Sequence, residues 1–130
     1  MKKILFALLF LPFFAFAEIG VPPEVMKALT AGDAATLSRF FDETVEVSVL
    51  GQENIYSKAQ AIEVVKNFFA KNHPKTFSQV HQGASKGKDS QYCIGDLTTT
   101  GGASFRVYIY FKTIGDASVI QELRFDSPQK

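Results

Sequence analysis

The chain has 130 residues, with 14 basic and 13 acidic side chains, so it is close to electrically neutral. A nucleic-acid-binding domain needs a basic surface, and this balance argues against that class. The length predicts one domain. The single cysteine, Cys93, excludes an internal disulfide. Its thiol is either buried and inert, or it forms a bridge to another molecule.

The N-terminus has the pattern of a secretory signal peptide. Met1 is followed by a basic pair, an uncharged apolar run and an Ala-Phe-Ala sequence that ends at Ala17. A transmembrane anchor is the competing interpretation, but the uncharged run ends at Glu18 and is too short to span a bilayer comfortably. We therefore expect a signal peptide over residues 1–17. One domain over residues 18–130 would then reach the periplasm or the extracellular space without a membrane anchor.

The first half of this domain predicts two short helices and a hairpin. Pro23 suits a first helical turn, Gly32 suits a helix end, and Asp33 suits the cap of a second helix. An alternation of apolar and polar residues then indicates a half-buried strand. The predicted elements are helices over 23–31 and 34–41, strands over 45–50 and 54–56, and a turn over 51–53.

The strongest helical signal follows the hairpin and ends before Pro74. Ser57 and Gln60 have the spacing of a capping box. Apolar residues then recur at spacings of three and four, which predicts an amphipathic helix. These residues are Ala61, Ile62, Val65, Phe68 and Phe69. The helix should end before Pro74, and His73 is expected to cap its last carbonyls.

After Pro74 the pattern changes to a period of two, which predicts four strands. They cover residues 77–83, 91–100, 104–113 and 118–126, with a candidate bulge at Gly95 and a second bulge suspected in the last strand. The third of these strands alternates most clearly. Its apolar set is Phe105, Val107, Ile109 and Phe111, and its polar set includes Arg106, Tyr108 and Tyr110. We expect Phe68 and Phe69 to pack on the apolar set, which leaves the polar set on the outer face of the sheet.

This order of elements resembles the nuclear-transport-factor-2-like superfamily, a cystatin-like α+β cone. The strings His81-x-Gly83, Tyr92-x-Ile-Gly95 and Phe105-Arg-Val-Tyr108 are similar to those of an exported bacterial family known as domain of unknown function 4783. The resemblance covers essentially the whole of residues 18–130. It implies a curved antiparallel sheet wrapped around a long helix. It implies little about function, because the superfamily contains enzymes, binding modules and dimerisation domains.

Catalytic members of the superfamily place an acid or a base inside the cone, and His81 is the candidate for that role. Strand alternation sets His81 on the same side as Phe77, and a neutral imidazole can act as a base. Asp96 is a weaker second candidate. A hydrogen-bonded structural histidine is the competing interpretation. The enzymatic alternative is therefore a small cofactor-free isomerase or dehydratase with His81 as its base.

The stripe formed by Arg106, Tyr108 and Tyr110 has two interpretations. Arginine binds carboxylates with two donors, which suits an anionic or aromatic ligand. Tyrosine and arginine are also enriched in protein interfaces. We expect the stripe to be the interface of a homodimer, and His81 and Tyr92 to contact a small ligand. The preferred function is non-enzymatic binding of a small ligand or a partner protein.

No cofactor or metal site is expected from the sequence. His73, His81 and Cys93 are the strong metal ligands, and no close pair of them has the spacing of a zinc site. The segment Gly83–Lys88 superficially suggests a phosphate-binding loop, but it is one residue short and leads into a strand.

Overall fold

The computed structural model describes residues 21–84 and 89–128, so the predicted signal peptide over residues 1–17 lies outside the described residues. These residues form three helices and a six-stranded sheet. The elements are α1 (Pro23–Ala31), α2 (Ala34–Ser38), β1 (Phe41–Val49), β2 (Gln52–Ser57), α3 (Lys58–Lys71), β3 (Pro74–Ala84), β4 (Ser90–Thr99), β5 (Ser104–Ile114) and β6 (Ala117–Asp126). None of the helices in this described part is long and apolar enough to cross a membrane.

The two short helices follow from local chemistry. Pro23 opens α1, and Gly32 follows its last residue in the left-handed conformation at φ 70°. Asp33 caps α2 by accepting a backbone hydrogen bond of 3.0 Å from its first turn. The helix α2 is shorter than predicted and ends at Ser38, because Phe41 already belongs to β1 and is buried in the core.

The long helix α3 begins with the predicted capping box. Ser57 Oγ accepts from the Gln60 backbone N–H at 3.2 Å, and Gln60 Oε1 accepts from the Ser57 backbone N–H at 3.3 Å. The expectation that His73 caps the other end is wrong. Asn72 takes that role, because both its backbone N–H and its side-chain amide donate to the Phe68 carbonyl, at 2.8 and 3.1 Å.

The six strands have the order β2-β1-β6-β5-β4-β3. Neighbouring strands are antiparallel except β1 and β6, which run parallel. The predicted α+β fold with a curved sheet and helices is confirmed, but the sheet is not wholly antiparallel. The reason is that β6 ends the meander of β3 to β6 and joins the free side of the β1–β2 hairpin.

The hairpin turn is two residues long and lies earlier than predicted. Val49 pairs with Gln52, so Leu50 and Gly51 form the turn instead of residues 51–53. Both have left-handed backbones, with φ 49° and 89°. A two-residue turn of this hand matches the twist of the strands it joins. As a result β2 is longer than predicted.

The strands bury alternate residues against the helices, and we call this side of the sheet the inner face and the other side the outer face. On β5 the buried residues are Phe105, Val107, Ile109 and Phe111. Phe68 of α3 stacks on Phe125 with ring centroids 4.1 Å apart and meets Phe105 edge-on at 5.1 Å. Phe68 and Phe69 are both buried, which confirms that α3 packs its two phenylalanines on this face.

Irregular pairing in β3 and β6 alters which face a side chain occupies. The suspected bulge in β6 is present, as a register shift between the partners of Tyr110 and Phe111. The bulge predicted at Gly95 lies instead in the neighbouring strand β3, where the pairing steps from Gln79 to His81 and leaves Val80 extra. Gly95 itself stays in register with β5.

Candidate functional site

His81 lies on the outer face, and the prediction that it shares the inner side with Phe77 is wrong. Phe77 pairs with Leu97, which is buried in the core. His81 pairs with Ile94. Alternate residues of β4 are buried, and Ile94 belongs to the other set, which lies on the outer face. The extra residue Val80 reverses the alternation between these two positions. His81 is therefore exposed and does not reach the interior of the cone.

His81 and Tyr92 are brought together at the β3–β4 side of the outer face. The Nε2 atom of His81 lies 3.2 Å from the Tyr92 hydroxyl, within hydrogen-bond distance. The Tyr92 ring covers Gly83, where an added Cβ would lie 2.6 Å from the hydroxyl oxygen. Gly83 leaves the space that the Tyr92 ring occupies. The hydrogen bond to His81 then fixes the position of the Tyr92 hydroxyl.

Asp96 and Arg106 form an ion pair on the outer face. Arg106 Nε donates to Asp96 Oδ1 at 2.7 Å. Among the described residues no hydrogen bond or ion pair joins Asp96 to His81. The two predicted catalytic candidates therefore do not form a shared acid–base pair. The buried polar side chains of the described part are Ser38, Ser48, Gln91 and Thr99, none of which is an acid or a base near neutral pH.

The outer face carries a shallow groove of about 280 Å³, the outer groove. Its outward-facing lining consists of Tyr92, Ile94, Tyr108, Tyr110, Glu122 and Arg124. Tyr92 pairs with Tyr110, and Ile94 pairs with Tyr108, so β4 and β5 supply a continuous aromatic and aliphatic floor. Of the predicted stripe, the two tyrosines line this groove, whereas Arg106 is held by Asp96 beside it.

Arg124 supplies the cation of the outer groove, and sequence reasoning missed it. Its guanidinium lies over the Tyr108 ring, 5.4 Å from the centroid. It forms ion pairs with Glu122 at 3.7 Å and with Asp126 at 3.9 Å, and these distances are too long for hydrogen bonds. A guanidinium has five N–H donors. Two carboxylates therefore offset the charge of Arg124, while its N–H donors form no hydrogen bond within the described residues. The bulge in β6 interrupts the alternation of that strand, so the face occupied by Arg124 could not be predicted from the sequence.

Three carboxylates flank the groove on its β1–β2 side. Glu46 pairs across the sheet with Glu122 on β6, and Glu53 lies nearby on β2. A hydrogen bond with Glu53, partial burial and the charge of Glu122 raise the pKa of Glu46 above its ordinary value. Exposed Ile55 stands directly beside Glu46 on β2, with 72% of its surface accessible. On the outer face, the acidic and apolar side chains of β1 and β2 therefore lie next to the groove that contains Arg124.

Cys93 is buried on the inner face of β4. Its thiol donates to Gln79 Oε1 at 3.5 Å, and burial raises the pKa of the thiol to about 11. The group is therefore neutral at physiological pH, and only the thiolate is an effective nucleophile. Of the two interpretations of this cysteine, the buried and inert thiol fits the structure.

The part of the chain that the structure describes holds no group of three or more His, Cys, Asp and Glu side chains placed to bind a metal ion. The candidate site is a surface of aromatic, aliphatic and charged side chains.

Residues 22–126 match the family described as a domain of unknown function, DUF4783. No curated protein matches the chain. The crystal structure of a DUF4783 protein from Bacteroides ovatus is 30% identical with a TM-score of 0.77, covering 85% of this chain and 97% of that one. A second, from Bacteroides uniformis, is 26% identical with a TM-score of 0.77, covering 85% and 99%. An NTF2-like protein of unknown function from Shewanella oneidensis shares the fold at 12% identity, with a TM-score of 0.62 and coverage of 81% and 92%.

Proposed function

Because the chain belongs to the DUF4783 family, whose description assigns no activity, we propose a function from its geometry: it is a non-enzymatic binding domain that uses the outer groove. The observation that carries this proposal is Arg124, whose two ion pairs are longer than hydrogen bonds and leave its N–H donors available beside an apolar floor. A bound partner must then offer two features. It needs a carboxylate for the guanidinium, and an apolar group for the surface formed by Ile94 and the tyrosines.

The enzymatic alternative has less support than binding. A cofactor-free isomerase or dehydratase needs an acid or a base that reaches its substrate inside a pocket. His81 and Asp96 both face outward, and each already has a partner, Tyr92 and Arg106 respectively. Around α3 the described inner face is filled by the rings of Phe68, Phe105 and Phe125 instead. Binding at the outer face requires none of these groups to move.

A titration with 3-phenylpropionate tests this proposal, because the compound joins an apolar ring to a carboxylate. We expect chemical-shift changes in the amide spectrum centred on the groove. The uncharged 3-phenylpropanamide should bind about 10-fold or more weakly, since a hydrogen bond to a charged group contributes roughly 1.5–3 kcal/mol. Arg124→Gln should remove the preference for the carboxylate.

Arg106→Gln is the matched control for that titration. It removes the same charge from the same face, but Arg106 is already bonded to Asp96 at 2.7 Å and has no role in the proposed recognition. The control should bind the probe as the unmodified protein does. Equal loss in both variants, or shifts centred on the inner face, would contradict the outer groove as the binding site.

We further propose that the domain acts outside the cytoplasm, after removal of residues 1–17. The basic pair, the apolar run and the sequence Ala-Phe-Ala ending at Ala17 support this proposal. Protein isolated from its native host should begin at or near Glu18 when its N-terminus is sequenced. Recovery of intact Met1 in a membrane fraction would instead indicate an uncleaved anchor.

A further inference from the structure

We infer that the free edge of strand β2 is a docking site for an extended segment of another protein, which adds to the sheet as a further strand and carries alternating apolar and basic side chains. Among the described residues β2 pairs with β1 and with no other strand, so it lies at one end of the sheet. A strand in this position presents backbone N–H and C=O groups that can pair with another chain. No residue of β2 lines the outer groove, so this site is separate from the one proposed above.

The register of the β1–β2 hairpin identifies the backbone groups at this edge. Val49 and Gln52 close a two-residue turn and therefore form a hydrogen-bonded pair, and such pairs recur at every second residue of an antiparallel ladder. The backbones of Glu53, Ile55 and Ser57 lie between these pairs and point away from β1. The capping box of α3 already occupies the Ser57 N–H. Glu53 and Ile55 therefore offer their N–H donors and C=O acceptors to an incoming strand.

The opposite edge of the sheet, β3, is protected against strand addition. It begins with Pro74 and Lys75 and contains the extra residue Val80. Proline, lysine and bulges are the usual features that prevent pairing at a strand edge. β2 has none of the three, and it pairs with β1 without a register shift. The two edges therefore differ, and β2 is the one that can accept a strand.

The side chains of the hairpin specify the chemistry of the occupant. Ile55 is 72% exposed, the highest value among the exposed large apolar residues of the described part, and Glu53 is also exposed, two positions away on the same face. The Glu53 carboxyl shares a hydrogen bond with Glu46, so this contact joins two acids and offsets no charge. β1 and β2 contain no Lys, Arg or His, and their acidic residues are Asp42, Glu43, Glu46 and Glu53.

These acids favour a basic strand and oppose a second copy of this chain. An added strand lies about 4.8 Å beyond β2, so one of its residues stands opposite Ile55 and another, two positions along, stands opposite Glu53. An apolar side chain fits the first position, and a Lys or Arg fits the second. Pairing of two β2 edges would instead bring the acids of both hairpins together, and like charges on neighbouring strands destabilise their pairing.

Amide hydrogen exchange in the presence of a synthetic strand tests the inference. The probe is the peptide acetyl-TVTKTVTK-amide, whose Val and Lys residues alternate along one face and so match Ile55 and Glu53 in either strand direction. At nearly saturating peptide we expect the amides of Glu53 and Ile55 to exchange about 10-fold more slowly than in the free protein. The matched peptide acetyl-TVTETVTE-amide should bind about 5-fold more weakly, because its Glu residues would face Glu53.

Two substitutions at position 55 separate backbone pairing from side-chain contact. Ile55→Pro removes an N–H that points away from β1, a position at which edge strands tolerate proline. This variant should bind acetyl-TVTKTVTK-amide about 10-fold more weakly, because proline cannot donate to the new ladder. Ile55→Thr loses the same aliphatic side chain but keeps the N–H, so it should lose less affinity.

A charge reversal at Glu53 tests the choice of partner. Glu53→Lys should reverse the preference between the two peptides, whereas Glu63→Lys, at an exposed position of α3, should leave it unchanged. Circular dichroism checks that each variant is folded, and if Ile55→Pro is not, the reversal by Glu53→Lys decides the question by itself. The inference is overturned if neither peptide binds, if both bind equally well, or if the slowed amides lie outside β2.

Discussion

Replacing Phe68 with alanine is expected to lower the free energy of unfolding by about 3–5 kcal/mol, the usual cost of truncating a buried phenylalanine. Phe68 is 4% exposed and lies between the rings of Phe125 and Phe105, so its removal leaves a cavity that α3 and the sheet cannot both close. A small domain has a total stability of roughly 5–15 kcal/mol. The loss is therefore a large part of the whole.

Urea denaturation followed by circular dichroism measures this change. Asn67→Ala is the matched control, because residue 67 precedes Phe68 on α3 and is exposed. A substitution at such a position usually changes stability by less than about 0.5 kcal/mol. If Phe68→Ala unfolds at the same urea concentration as the control, α3 does not pack through this ring.

Local sequence signals predicted those parts of the fold in which a residue's neighbours along the chain determine its conformation. The capping box of Ser57 and Gln60 fixed the start of α3, and helical spacing identified Phe68 and Phe69 as its buried residues. On β5 a regular alternation separated the core residues from the outward tyrosines. Each of these interactions depends on residues a few positions apart, so it is visible in the sequence itself.

The errors arise where the conformation depends on a partner strand. Nothing in the composition of β3 marks Val80 as an extra residue, because a bulge is defined by its pairing with β4. That one residue moved His81 from the expected inner side to the outer face. The hairpin shows the same limit, since Leu50 is an unusual residue for a left-handed turn position and the alternation over residues 45–50 places it in a strand.

The candidate site was predictable only in part for the same reason. Tyr108 and Tyr110 lie on the outer face because β5 alternates without interruption, and this much followed from the sequence. Arg124 belongs to the same groove, but the bulge in β6 obscured its direction. Its availability to a ligand also depends on the distances of its ion pairs, which cannot be read from the sequence. Arg106 is paired with Asp96 at 2.7 Å, whereas Arg124 forms only longer ion pairs, with Glu122 at 3.7 Å and Asp126 at 3.9 Å.

Gly95→Ala is expected to destabilise the domain by about 1–3 kcal/mol, the typical cost of adding atoms to a well-packed core. A Cβ at this position would clash with Cζ of Phe77 and would lie 2.7 Å from the backbone oxygen of Ser78. The Phe77 ring thus covers the glycine across the β3–β4 pair. The side chain can rotate away only by uncovering core surface, and the backbone oxygen can move only with the strand.

Gly101→Ala is the control for this substitution, because a Cβ at that position would meet nothing within 4 Å and the residue does not have a positive φ. Its stability should stay within about 0.5 kcal/mol of the unmodified protein. A Phe77→Leu background tests the cause. Because the ring tip is then absent, Gly95→Ala should cost less there than in the unmodified protein, and the remaining cost should come from the contact with Ser78. Equal melting of Gly95→Ala and Gly101→Ala in thermal denaturation would contradict the close packing of Phe77 on Gly95, and with it the register that turns His81 outward.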